Sequence, residues 1–431
     1  MMTTTSPEAS RSSSFNFADK FSLQSERVVS IMELESSNET LQRINKALNR
    51  SRKIAVLTGA GISCNAGIPD FRSSTGLYDL VKSQYPELTI RTGQEMFDIS
   101  LFRDEMKIQV FATFMEKLYT STRLAKPTKT HRFIAHLRNR NKLLRCYTQN
   151  IDGLEELLGL EMSKKEMESK TNGFVNRWKN FDVVQLHGDL NSLACTRCFH
   201  TFEWNRFLAR SFRRGELPSC PECLANNAKR TQEGKRNLGL AGFLRPNIVL
   251  YGENHQSSEF ISQGINYDIS KGRPDFLIIM GTSLKVDGVK RVVKTMSKQI
   301  HEKGGIVILV NKTILADSQW AGIIDYQIVS DCDSWVSYLE KDIPELFKTQ
   351  EQFDKLRQLK REASQLRKQK KLQNESKKED ATLMLKTPPT TPQAKELQSI
   401  IIAKDETDNV KRKLLEEEID VKVNLNKKIK V

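Results

Sequence analysis

Between residues 53 and 310 the chain alternates short apolar runs with stretches of mixed polarity. Lys53 to Thr58, Leu143 to Tyr147, Phe181 to Leu186, Asn247 to Tyr251, Phe276 to Met280 and Ile306 to Val310 each have the length of a buried strand. Several are separated by helix-length intervals. The last two are apolar at almost every position, so both faces of those strands must be covered. The pattern predicts a parallel α/β sheet with helices on both sides. Small or polar residues follow three of the runs directly: Gly59-Ala60-Gly61, Gly281-Thr282-Ser283 and Asn311-Lys312. Ligands of open parallel sheets bind beyond the carboxyl ends of the strands, so chemistry is expected at these clusters.

Outside this region the pattern fades. Residues 1–30 are rich in Ser and Thr and read as a disordered leader, and a polar, helical entry segment closes at Arg52. Residues 347–431 read as a charged low-complexity tail, because stretches such as Lys355 to Lys378 offer little apolar surface to bury. The tail is either a long solvated helix or disorder, and Thr387-Pro388-Pro389-Thr390-Thr391-Pro392 interrupts any helix. The folded catalytic region is therefore expected over 31–346. The 38% hydrophobic and 28% charged fractions of the 431 residues agree with a folded region plus solvated material.

The net charge of +15 favours acidic partners, chromatin or nucleic acid before an anionic membrane surface. Both parts are basic: residues 341–431 carry 22 Lys and Arg against 16 Asp and Glu, and residues 1–340 carry 46 against 37. No run approaches the roughly 18 apolar residues of a membrane helix, so a soluble, intracellular protein with no membrane partner is expected. Four of the seven cysteines form Cys195-Thr196-Arg197-Cys198 and Cys220-Pro221-Glu222-Cys223, a C-x2-C-x21-C-x2-C pattern close to that of zinc ribbons. Four thiolates complete a tetrahedron with no open position, so Zn2+ held by Cys195, Cys198, Cys220 and Cys223 would be structural, in a module over about 190–228.

Gly59-Ala60-Gly61-Ile62-Ser63 opens like a dinucleotide fingerprint, but Cys64 stands where the third glycine belongs and Gly67 arrives late. Alone it fits a bare strand-to-helix turn as well as a phosphate site. Gly67-Ile68-Pro69-Asp70-Phe71-Arg72-Ser73 is a poor core sequence and suits a mobile flap over a charged ligand. Together with Thr148-Gln149-Asn150-Ile151-Asp152-Gly153, Leu186-His187-Gly188, Gly281-Thr282-Ser283-Leu284 and Val310-Asn311-Lys312, in that order, these segments resemble the sirtuin, or silent information regulator, family of NAD-dependent protein deacetylases. The resemblance covers roughly Lys53 to Leu346 and leaves both tails unaccounted for.

The resemblance implies a Rossmann-like, doubly wound parallel sheet with a small zinc-ribbon domain, and NAD as co-substrate. It places Gly59, Ala60, Gly61, Ile62, Asp70, Phe71, Arg72 and Tyr78 on the dinucleotide, and Gln149, Asn150, Ile151 and Asp152 around nicotinamide and its ribose. Gly281, Thr282 and Ser283 fall by the phosphates, Asn311 and Lys312 by the adenosine ribose, and Cys332 by adenine. Arg245 to Glu253 is similar to the segment beside which a peptide substrate adds as a strand, with Val249, Tyr251, Gly252 and Glu253 at the acyl-lysine. His187 becomes the general base, acting with Asn150 and Asp152 at the catalytic centre. In that chemistry the acetyl oxygen attacks the nicotinamide ribose, nicotinamide leaves, and water finally yields free lysine and O-acetyl-ADP-ribose. An imidazole, with an ordinary pKa of about 6.5, suits the proton transfer. On the residues alone, plainer readings stand beside these: turn residues at Asn150 and Asp152, a helix N-cap at Ser283, a buried filler at Cys332, a strand-end structural histidine at His187.

Within the family the nearest resemblance is to the fungal nuclear branch that deacetylates a core-domain lysine of histone H3, on the strength of the long basic tails and extended catalytic segments. That implies a nuclear, chromatin-directed repressor acting on acetylated histone or another acetyl-lysine protein, with nucleosomal DNA as a partner of the basic tails. The oligomeric state is not specified. Alternatives are ADP-ribosyl transfer or removal of longer acyl chains on the same fold, and a chromatin scaffold that merely senses NAD. Thr387 and Thr391 precede prolines and are candidate phosphorylation sites.

Overall fold

The computed structural model describes residues 27–30, 39–68, 93–163 and 173–384. The chain falls into two units, Met1–Phe353 and Asp354–Val431. In the first, ten strands are described: β1 (Val28–Ser30), β2 (Ile54–Thr58), β3 (Leu143–Thr148), β4 (Val183–Gln185), β5 (Gly188–Cys195), β6 (Thr201–Glu203), β7 (Leu244–Ile248), β8 (Phe276–Met280), β9 (Ile306–Asn311) and β10 (Tyr326–Val329). Seven form a sheet in the order β1-β10-β9-β8-β2-β3-β4, with every pair parallel. The other three form an antiparallel sheet, β6-β5-β7.

The main helices are α1 (Glu39–Arg50), α2 (Glu105–Leu124), α3 (Lys129–Asn139), α4 (Arg206–Arg213), α5 (Pro221–Gln232), α6 (Ser258–Tyr267), α7 (Asp287–His301), α8 (Cys332–Asp342) and α9 (Gln350–Met384). Their starts follow from local chemistry. Asp104, Asn205 and Asp331 cap α2, α4 and α8 by accepting from backbone N–H groups, and Thr128 and His131 form a reciprocal cap on α3. Successive side chains of a strand point to opposite faces, and the two cores divide accordingly. Ile54, Val56, Ile278 and Met280 pack with Leu41, Ile44 and Leu48 of α1, Phe133 of α3 and Trp335 of α8. Ala55, Leu57, Leu277 and Ile279 pack with Val289, Val293 and Met296 of α7, Ile261 of α6 and Trp178. The sheet is therefore doubly wound, as the apolar runs require.

Three expectations about boundaries change. Asn247 to Tyr251 overlaps β7, which lies in the antiparallel sheet instead of the parallel one; burial alternates along β7, the pattern of a strand covered on one side. Val28–Ser30, at the end of the expected leader, is an edge strand that pairs with β10 and buries Val29. The folded region also runs past Leu346: Phe347 packs its ring against Phe133, the Arg140 guanidinium donates to the Lys348 carbonyl at 3.1 Å, and it lies 4.2 Å from the Phe353 ring centroid. In the second unit, residues 354–370 of α9 are exposed throughout, the solvated-helix alternative for that part of the tail. Thr387 and Thr391 lie outside the described residues. Among the described residues, no helix is long and apolar enough to cross a membrane.

Candidate functional site

β2 lies inside the large sheet, next to the central strand β8 on one side and β3 on the other. The chain order reverses there, and such a switch point leaves a crevice beyond the carboxyl ends of the strands. Six strand ends deliver the expected residues to that edge: Gly59 to Ile62 after β2, Gln149 to Asp152 after β3, His187 after β4, Gly281 to Ser283 after β8, Asn311 and Lys312 at the end of β9, and Cys332 after β10.

The glycines are explained first by loop-on-loop contact. Gly61 donates from its N–H to the Gly281 carbonyl at 2.9 Å, and Gly281 donates to the Val310 carbonyl at 3.0 Å. A Cβ on Gly61 would stand 2.7 Å from the Gly281 Cα, and one on Gly281, whose φ is +61°, would stand 2.7 Å from the Ile62 nitrogen. Beyond Gly61 the chain makes two short 3-10 turns, Ala60–Ile62 and Cys64–Ala66, closed by Gly67 at φ +81°. Among the described residues the glycine turn leads into these 3-10 turns and not directly into an α-helix, so the close strand-to-helix contact served by the fingerprint's third glycine is not made here.

Beside this turn runs a buried polar chain. Asn150 donates from Nδ2 to the Ser63 hydroxyl at 3.1 Å, and Ser63 donates to Asp152 Oδ2 at 2.7 Å. Asp152 Oδ1 also accepts from the Leu154 N–H at 3.1 Å. With Nδ2 committed to Ser63, Asn150 offers Oδ1 as an acceptor to a ligand donor such as a carboxamide. Gln149 donates from Nε2 to the Thr282 hydroxyl at 2.9 Å, tying the β3 loop to the β8 loop. Ile151 is buried against Ile68, Leu154 and Leu190, so it holds the loop down through packing.

His187 closes this group. Its Nδ1 lies 3.0 Å from the Gln149 carbonyl oxygen. A carbonyl can only accept, so Nδ1 carries the proton and Nε2 presents a lone pair. Burial pulls the ring's pKa below the ordinary imidazole value, outweighing the Gln149 carbonyl, and the ring is neutral at pH 7. This is the protonation state a general base requires. Motif reading did not single out three neighbours: Ser63, the link between Asn150 and Asp152; His131, which gathers with Asp152 and Glu155; and His255, whose pKa is held down first by burial and then by His187. Ser63 stood inside a quoted motif; the other two arrive from separate elements with no spacing signal.

The outer parts of the site are varied. Asn311 donates from Nδ2 to the Thr313 carbonyl and hydroxyl at 3.0 and 2.9 Å, and Lys312 pairs with Asp331 at 3.1 Å. Cys332 is buried at the start of α8, with Sγ 3.6 Å from the Val310 carbonyl. Ser283 follows Thr282, whose hydroxyl accepts from the Leu284 N–H at 3.2 Å. In the substrate segment, Val249 donates to the His187 carbonyl at 2.9 Å. Tyr251 is bridged through both backbone groups to Phe97 and Ile99, and Glu253 accepts from Arg245 at 2.7 Å and from the Leu250 N–H at 3.1 Å. Gly252 sits at φ +83° in the same turn. Tyr251 to Glu253 thus shape this turn from within. Asp70, Phe71, Arg72 and Tyr78 lie outside the described residues.

The four paired cysteines converge, with all sulfurs within 4.8 Å of one another. Cys195 and Cys223 are 3.7 Å apart and Cys198 and Cys220 3.6 Å. A tetrahedron with metal–sulfur bonds of about 2.3 Å has edges near ~3.8 Å, so the donor set fits one structural Zn2+. The Arg197 and Cys198 N–H groups lie 3.3 and 3.4 Å from the Cys195 sulfur, the arrangement that stabilises a thiolate ligand. A Cβ at Gly242 would stand 2.6 Å from that sulfur. The module rests on α2: Trp204 stacks on Tyr119 at 4.5 Å between centroids, and Arg213 pairs with the buried Glu116 at 2.6 Å.

Comparison with known proteins agrees with this geometry. The profile of the Sir2 family matches residues 59–288. The NAD-dependent histone deacetylase HST3 of Saccharomyces cerevisiae is 63% identical over 391 residues, which cover 90% of this chain and 85% of that protein. Its Candida albicans namesake is 54% identical over 331 residues, 76% of this chain and 68% of that one. Among solved structures, a Sir2 enzyme with a deacetylated p53 peptide and 3′-O-acetyl ADP-ribose matches 70% of this chain and 98% of its own, with 24% identity and a TM-score of 0.50, a likeness of fold alone.

Proposed function

The chain belongs to the Sir2 family, and from that membership we infer that it removes acetyl groups from histone lysines in an NAD-dependent reaction. NAD, when bound, would supply the ribose carbon that accepts the acetyl oxygen as nicotinamide leaves and the ribose hydroxyl on which the acetyl group ends, so that nicotinamide and O-acetyl-ADP-ribose are released. The observation that carries the site assignment is the fixed His187 tautomer beside the Asn150–Ser63–Asp152 chain. His187, neutral and with its Nδ1 proton held by Gln149, takes a ribose hydroxyl proton at Nε2. Asn150 orients the nicotinamide amide through Oδ1, and Asp152 anchors Ser63 and faces the ribose. Gly59 to Ile62 and Gly281 to Ser283 line the diphosphate, Asn311 and Lys312 the adenosine ribose, and Cys332 the adenine. The disposition of these residues along one sheet edge supports the reading.

The substrate reading is finer: a core-domain lysine of histone H3, met in the nucleus on chromatin. Two fungal relatives carry the name histone deacetylase, and the chain's +15 charge suits an acidic assembly. Nucleosomal DNA would meet the basic tail and the exposed arginines Arg206 and Arg210, one turn apart on α4. The test compares acetylated histone H3 peptides with acetylated nucleosomes, with His187→Ala as the blank. Site-selective acetyl loss from nucleosomes, with one nicotinamide released per acetyl group, is expected. Equal removal from all histone sites sinks the H3-core reading, and retention of the adenylate part of labelled NAD on protein favours ADP-ribosyl transfer.

A further inference from the structure

Glu155 follows Asp152 by three residues and is wholly buried, yet neither of its carboxylate oxygens has a hydrogen-bond partner. One ligand atom each from Glu155, Asp152 and His131 lies within 4.8 Å of the others. His131, equally buried, accepts at Nδ1 from the Thr128 N–H at 3.2 Å and points an unpartnered Nε2 into the enclosure. The other titratable group facing Glu155 is Cys146 of β3, also fully buried. The neighbours that bear on His131 electrostatically are Asp152, Asp333 and Arg132. Burial, the largest influence, pulls His131 down toward its neutral form. Two carboxylates thus share a buried space, and such a pair holds one proton. Hydrogen bonding decides which oxygen carries it. Asp152 accepts from Ser63 and from the Leu154 N–H, contacts that favour its charged form, whereas at Glu155 the Thr148 hydroxyl and the residue's own backbone weigh less than burial and the Asp152 charge.

We propose that Glu155 is a positioning residue of the NAD site that works as a carboxylic acid, leaving Asp152 the single anion of the enclosure. The hydrogen-bond chain beside it has a direction: Asn150 Nδ2 donates to Ser63, and Ser63 donates to Asp152. That direction exists only while Asp152 is an acceptor, and it is what turns Asn150 Oδ1 toward the nicotinamide end of NAD. Ionising Glu155 sets a second negative charge against Asp152 and pushes it off Ser63. Burial, followed by the Asp152 charge, raises the Glu155 carboxyl to about 8, so the loss falls on the alkaline side. A bound divalent cation is the competing explanation for two carboxylates and an imidazole; the test separates the two.

The inference rests on the NAD reading, and the experiment separates the two. Full-length wild type, Glu155→Gln and Glu155→Ala are compared in steady-state kinetics with NAD varied across about pH 6 to 10, which brackets the group. Infrared difference spectra of wild type and Glu155→Gln are taken at neutral pH without NAD. Wild-type KM for NAD is expected to rise as pH passes about 8. Glu155→Ala leaves a cavity against Asp152 and should raise it roughly tenfold at pH 7 by loosening the packing of the loop. Glu155→Gln, a neutral isostere that fills the same space, should recover most of that loss and abolish the alkaline rise. The protonated-acid carbonyl band should vanish in Glu155→Gln. The proposal is overturned if the Gln and wild-type profiles coincide, if Gln is as impaired as Ala, if no acid band is lost, or if metal analysis finds a divalent ion beyond zinc that the Gln variant releases. Failure of NAD-dependent turnover in wild type would instead refute the parent reading and leave the infrared result standing.

Discussion

Replacing Gly281 with alanine tests whether the two glycine loops are held by direct contact. The site has two separable costs. Its φ of +61° lies in the left-handed region, worth roughly 1–2 kcal/mol for a residue with a Cβ. The new methyl would also stand 2.7 Å from the Ile62 nitrogen and 2.8 Å from the Gly61 carbonyl carbon, backbone atoms that cannot swing aside. Overpacking of this kind adds about 1–3 kcal/mol. Gly159 supplies the control, since its φ of +73° is equally left-handed and nothing lies within 4 Å of its would-be Cβ. Gly159→Ala should therefore lose only the backbone cost, about 1–2 kcal/mol. Gly281→Ala should lose roughly 2–5 kcal/mol in all and weaken NAD binding as well, because the displaced loop leads into Ser63. Urea titrations give the midpoint and slope of unfolding for both variants. Equal losses, with NAD affinity unchanged in Gly281→Ala, would refute loop-on-loop contact as the reason for these glycines.

Three further outcomes are expected. Asp268→Asn leaves Arg145 buried without its 2.9 Å partner and turns the Tyr147 hydroxyl's charged acceptor into a neutral one, so it should cost about 3 kcal/mol or more in thermal or chemical unfolding; a loss below ~1 kcal/mol would mean that the pair is dispensable. Glu155 keeps its proton to about pH 8 in the fold and only to its ordinary 4.5 when unfolded. Stability should therefore fall as pH rises between those values, by up to about 1.4 kcal/mol per unit, and the slope should be absent in Glu155→Gln; parallel pH curves would contradict this. Removing zinc with a strong chelator, or replacing Cys220 with serine, should loosen β5 to β7 and raise amide exchange around Trp204 before the large sheet opens, whereas exchange unchanged in that region would exclude a structural metal.

The central strands were legible because each is a near-continuous apolar run, and the site followed because its motifs end those strands. β10 was not legible: Gln327 interrupts it, and that side chain is buried only because it exchanges hydrogen bonds with the Leu315 backbone at 2.8 and 3.1 Å. β1 has three residues, too few for a period, and stands only because β10 offers an edge. The zinc ligands were fixed by spacing alone, since two Cys-x-x-Cys turns carry their own geometry. The enclosure around Asp152 was not readable, because Ser63, His131 and Glu155 belong to a turn, a helix and a loop that only the fold brings together. Tyr251 to Glu253 carry a second role that no motif signalled, since their backbone is paired within the chain.

The most direct test of the account follows nicotinamide and acetyl-lysine together, using an acetylated histone H3 peptide, NAD and either wild-type enzyme or His187→Ala. Equimolar loss of acetyl-lysine and gain of nicotinamide and O-acetyl-ADP-ribose are expected with wild type, and no acetyl loss with the variant. Acetyl removal without NAD, or undiminished turnover in His187→Ala, would contradict it.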